Sequence, residues 1–209
     1  MSHNSHDDYG QDFDASLSDV EMEELSLEMP ALARLRDFAR LLGDLPWFTA
    51  LGTPLDRESK EIAAAYLDGL GFPDAHVARI NNWEDAAIAA ETGDWNSGPW
   101  EAEESLRAAL STDLLEILTE EAFEIGFTYV ASEADPAVRE AADTAIAVWM
   151  LEDEEIAIAA AGAAMQAVHG AAIAIAAGAD ENHPFLLRFR LFERGRWPIG
   201  VSGLTFNIF

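Results

Sequence analysis

"IAIAAAGAAMQAVHGAAIAIAAGA", residues 156–179, runs for 24 residues without a charge in a chain of 209 residues whose formal net charge is −27. Whether this stretch crosses a membrane, fills a core or holds its one histidine for chemistry decides the fold. Thirteen of its residues are Ala and three are Gly, which gain little on insertion into lipid. Its four Ile and one Val contribute only about −0.3 to −0.6 kcal/mol each. Gln166 and His169 offset much of that sum. The flanks, "EDEE" (152–155) and "DEN" (180–182), offer no basic anchor at either edge. A helix apolar on every side is one surrounded by other helices. The segment is therefore predicted to be the buried central helix of a soluble helical domain, with no membrane span.

The composition narrows the partners. Half of the residues are hydrophobic, enough to build a core at this length. Against 39 acidic side chains stand 11 Arg and the single Lys60. Such a balance repels nucleic-acid backbones and anionic lipid surfaces and favours cations or a basic protein. Without cysteine there is no disulfide framework, thiolate nucleophile or Cys-ligated zinc. The opening "MSHNSHDDYG" has neither a basic n-region nor an apolar h-region, so a cytoplasmic location is expected.

Residues 1–29 carry nine acids and no Lys or Arg, and read as an acidic, largely disordered tail. A weak apolar pattern from Leu17 to Met29 is compatible with a helix formed on docking. Residues 30–209 form the predicted domain. Pro30 opens an amphipathic helix with Leu32, Leu35, Ala39 and Leu42 on one stripe, closed by Gly43. Further helices are predicted over about Asp56–Leu70, Asp74–Glu91 and Glu101–Phe127, the last with a break near "STD" (111–113). Pro136, with Asp135 as cap, suits the first turn of the next helix, and "LEDEE" (151–155) a break before the uncharged one. In "TGDWNSGPW" (92–100) the Gly, Pro, Asn and Asp content reads as a loop, anchored to the core through Trp83, Trp95 and Trp100. Residues 184–194 read as a short helix, although "LRFRL" also alternates like a strand. "LTFNIF" (204–209) reads as a strand of a terminal hairpin. The expected fold is mainly α: one bundle of six to eight helices around the Ala-rich helix, with a short C-terminal β element.

Few residues carry a chemical signal. Gln166 and His169 share a face one turn apart and form a candidate buried polar site, read either as functional or as a hydrogen-bonded core pair. His76 and His183 sit at helix starts or turns, and no ligand spacing relates the histidines. Glu-x-x-His pairs, HExxH, EF-hand, Walker A and Rossmann patterns are all missing, and "GVSG" (200–203) is no nucleophile elbow. No cofactor and no metal site is implied. What remains is an arrangement of charge. Asp113, Glu116, Glu120 and Glu124 recur at helical spacing, Glu152, Asp153, Glu154 and Glu155 form a second cluster, and Glu101, Glu103 and Glu104 a third. Like charges at that spacing cost a few tenths of a kcal/mol each unless something offsets them. The offset can be a basic partner, a hard cation, bulk solvent, or the arginines of the C-terminal segment. The leading expectation is a non-enzymatic protein that engages a basic partner, as an inhibitor or immunity protein does. The alternatives are a carboxylate-rich metal-dependent enzyme and a structural or oligomeric helical module.

Overall fold

The computed structural model describes residues 19–92, 97–152 and 154–209, with side chains from residue 22 onward. The expectations for residues 1–16, Trp95 and Asp153 lie outside this set. Eight helices and a three-stranded sheet are described: α1 Asp19–Glu28, α2 Pro30–Leu42, α3 Arg57–Gly69, β1 His76–Arg79, α4 Trp83–Glu91, α5 Gly98–Ile117, α6 Glu120–Trp149, α7 Glu155–Ala177, α8 Pro184–Glu193, β2 Pro198–Ser202 and β3 Thr205–Ile208. The fold is mainly helical, with the small sheet completed at the C-terminal end.

α7 is the Ala-rich helix, and it lies against α2, α5, α6 and α8. Ala157, Ala160, Ala164, Ala167 and Ala171 recur at spacings of three and four and are buried, so neighbouring backbones approach closely. From Gly170 to Ala174 every residue is buried. The N-terminal half differs from the expectation of burial on all sides. Ile158, Ala159, Gly162, Gln166 and His169 form an exposed stripe, left open by the neighbouring helices among the described residues. α7 is also the helix, among the described residues, that is long and apolar enough to span a bilayer; half of its most apolar window is buried by protein. Its C-terminal carbonyls are covered from α2: Arg34 donates through Nε to Ile175 O at 2.8 Å and through Nη2 to Ala176 O at 2.5 Å. A cation at the carbonyl end of a helix is favourable.

Within the stretch expected to be tail, α1 is docked on α2 through Met22, which is 0% exposed, with Leu25 beside it. The helix expected over Asp74–Glu91 is instead β1 followed by α4. β1 pairs parallel with β3, Val77 opposite Phe206, and β2 completes the other edge antiparallel, giving the order β1-β3-β2. Asn82 then caps α4 by accepting the Asp85 amide at 2.8 Å. The break between α5 and α6 falls at Leu118–Thr119, later than "STD", with the Thr119 hydroxyl accepting from Ala122 N. Pro136 opens no helix but lies inside α6, at an exposed position.

α8 is buried on two sides. Phe189 and Phe192 enter the larger core with Trp47 and Phe38, whereas Leu187 and Leu191 enter a smaller core with Tyr66, Leu67 and Phe206. This explains the alternating look of "LRFRL": a helix between two cores repeats apolar residues on both flanks.

Candidate functional site

The carboxylates expected to lie on one helical stripe are split by the α5–α6 corner. Asp113 and Glu116 belong to the last two turns of α5, Glu120 and Glu121 to the first turn of α6, and Glu124 to its second turn. All are exposed, and Asp113, Glu116, Glu120 and Glu124 form no ion pair among the described residues. Their relation to the helix ends is uneven. Glu120 and Glu121 sit where the free N–H groups of α6 favour negative charge. Asp113 and Glu116 sit toward the carbonyl end of α5, where charge of the same sign has accumulated and no basic residue occupies the last turn. Between them Leu115 and Ile117 are each 57% exposed.

The second cluster has a local explanation. Glu152 and Glu154 precede α7 and Glu155 opens it, so these exposed carboxylates stand at a helix N-terminus. The third cluster is divided: Glu101 is exposed in the first turn of α5, Glu104 pairs with Arg107 at 2.7 Å, and Glu103 is buried. Glu103 is 8% exposed and receives Arg188 Nη1 at 2.9 Å on Oε1 and 2.8 Å on Oε2, while the Tyr66 hydroxyl donates to Oε1 at 2.5 Å. Burial and the Glu103 carboxylate push the Tyr66 hydroxyl well above the ordinary tyrosine range. Burial opposes the charge on Arg188, but Glu103 and Tyr66 outweigh it and raise its pKa. The network ties α3, α5 and α8 together and is architecture.

Gln166 and His169 do not form the expected buried site; both are exposed on the open stripe of α7. The imidazole is tilted against Phe127, ring centres 5.1 Å apart. Partial burial there and the nearby Arg107 charge lower its pKa. The cleft beside Gln166, bounded by Arg107, Phe185 and Arg188, measures about 10 Å³, room for one water and no substrate. Among the described residues no three His, Asp or Glu side chains gather in an arrangement able to hold a metal.

A feature not anticipated from the sequence is a groove of about 460 Å³ between residues 43–51 and the C-terminal half of α6. Trp47, Phe48 and Trp149 line it together with Ala137, Ala141 and Ala145, and its charged lining residue is Glu140. The loop wall is held from behind. Gly195, in the left-handed region at φ 71°, brings its backbone so close that a Cβ there would lie 2.6 Å from Thr49 Oγ1 and 2.8 Å from Pro46 O. Its carbonyl accepts Ala50 N at 3.0 Å. Arg196 Nη1 donates to Ala50 O and Thr53 O at 2.7 Å each, and Nη2 to Pro54 O at 2.8 Å. Of the tryptophans expected to anchor the 92–100 loop, Trp83 is buried against Trp197 and Phe209, whereas Trp100 is exposed.

Comparison with protein-family models, with curated proteins and with solved structures finds no match for this chain.

Proposed function

We propose that the chain is a non-enzymatic binding protein of the cytoplasm that engages a basic partner protein, in the manner of an inhibitor or immunity protein, through the α5–α6 corner. The observation that carries this reading is the placement of Asp113 and Glu116. Both oppose the carbonyl end of α5, neither is neutralised among the described residues, and both flank the exposed Leu115 and Ile117. Charge that works against its own helix is not there for stability. An incoming cationic surface would offset it, and the formal net charge of −27 would speed the encounter. Leu115 and Ile117 would supply the apolar centre that a charged rim by itself lacks.

Affinity capture tests the reading. The immobilised chain is compared with a corner variant (Glu116→Lys, Glu120→Lys, Glu124→Lys) and an α1 variant (Glu23→Lys, Glu24→Lys, Glu28→Lys). The expected result is a basic protein retained at low salt, released at about 0.5 M salt, where screening reaches only a few ångströms. It is lost by the corner variant and kept by the α1 variant. Retention indifferent to salt, equal loss in both variants, or no retained protein would overturn the proposal.

A further inference from the structure

We infer that the groove between residues 43–51 and α6 binds a small organic cation with an apolar body, a protonated amine or quaternary ammonium compound, at a site separate from the acidic corner. Its volume, about 460 Å³, lies in the range of small-molecule sites. The small side chains of Ala137, Ala141 and Ala145, four residues apart on α6, leave the width of the groove open. Aromatic surface, which attracts cations through the ring quadrupole, comes chiefly from the half-buried Trp149, with the buried Trp47 and Phe48 behind it in the wall. Glu140 is exposed on the rim, and among the described residues no Lys, Arg or His lines the groove. Apolar walls, an aromatic lining residue and one carboxylate select a positive charge carried on a hydrophobic frame. The same carboxylate, in a chain of net charge −27, rejects anions.

The walls are set before any ligand arrives. Trp47 Nε1 donates to Leu42 O at 3.0 Å, Phe48 meets Phe192 edge-on, and Trp149 meets Phe209 with ring centres 5.6 Å apart. Phe48, which lines the groove, has a positive φ of 59°; the other such non-glycine residue among the described ones, Met150, is the left-handed C-cap of α6. Side-chain-bearing residues adopt this conformation at a cost, and such outliers gather where a ligand is clamped.

Titration with benzyltrimethylammonium, followed by tryptophan fluorescence and by ligand NMR, tests the assignment, with benzyl alcohol and benzoate as neutral and anionic counterparts. The cation is expected to bind saturably and roughly tenfold more tightly than benzyl alcohol, and benzoate not at all. Glu140→Gln should weaken the cation severalfold and leave benzyl alcohol unchanged. Ala141→Leu and Thr144→Trp should abolish binding of both; Thr144 is exposed, so its variant carries the test if Ala141→Leu fails to fold. Saturation that survives Thr144→Trp, benzoate bound as tightly as the cation, or no saturation at all would overturn the assignment. The corner variant used for affinity capture should bind the cation as the wild type does. The partner proposal and the groove therefore fail separately.

Discussion

Asp56 accepts the Ser59 amide at 2.7 Å and stands 3.0 Å from the guanidinium of Arg194. The amide hydrogen bond first, and Arg194 after it, hold its carboxyl down at about 2 although the side chain is half-exposed. In the unfolded chain the same carboxyl takes up its proton near 3.8. The folded pKa is the lower one, so the stabilisation is complete above the unfolded value and is lost as pH falls toward 2. Urea unfolding of the wild type and Asp56→Asn, which keeps a neutral cap, should show the wild type more stable at neutral pH. The gap should narrow across that acid window, and a gap that stays constant with pH would contradict the assignment. At this scale the sequence was partly legible. The basic C-terminal segment invited pairing with carboxylates, and Arg188 does meet Glu103 while Arg194 meets Asp56 and Glu58. The exposure of Gln166 and His169 was not legible, because it depends on which side of α7 the other helices leave open.

Elements were readable where a local signal and the tertiary packing agree. Pro30 opening α2, the break before α7 and the C-terminal hairpin all follow from caps, turn residues and periodicity. β1 was missed because its four residues become a strand only through pairing with residues 205–208, a distant contact that outweighs local pattern. The α5–α6 break was misplaced although a signal existed: Thr119 followed by Glu120 and Glu121 is a helix start, and it competed with Ser111 and Asp113. Pro136 inside α6 shows packing overriding a strong breaker, since Ala134 and Val138 on either side of it are both buried. The contact between α2 and α6 depends on Gly126, where a Cβ would come within 2.8 Å of Leu32 Cδ2 and Leu35 Cδ1, both on fully buried side chains. Gly126→Val should destabilise the protein by roughly 1–3 kcal/mol through overpacking. Thermal and urea denaturation measure this, and a neutral or stabilising result would mean that α2 and α6 do not meet there.

For the whole molecule the dominant quantity is charge. Ion pairs and helix N-termini account for many of the carboxylates, Glu152, Glu154, Glu155 and Glu103 among them. The groove escaped the sequence reading because its two walls lie some ninety residues apart, and no periodicity links a loop to a helix at that distance. The α5–α6 corner was visible as charge but not as a place, since its acids were assigned to one helix. What distinguishes it is that Glu116, in the last turn of α5, is borne against the stability of that helix at about 0.3–1 kcal/mol at low ionic strength, with a smaller share from Asp113 one turn before it. Equilibrium unfolding of Asp113→Asn/Glu116→Gln against the wild type, at low salt and again at high salt, measures this directly. The variant should be the more stable at low salt, with the difference shrinking as salt screens the helix end. A variant less stable than the wild type, or a difference that salt does not move, would mean that these carboxylates serve the fold and are not held in reserve for a basic partner.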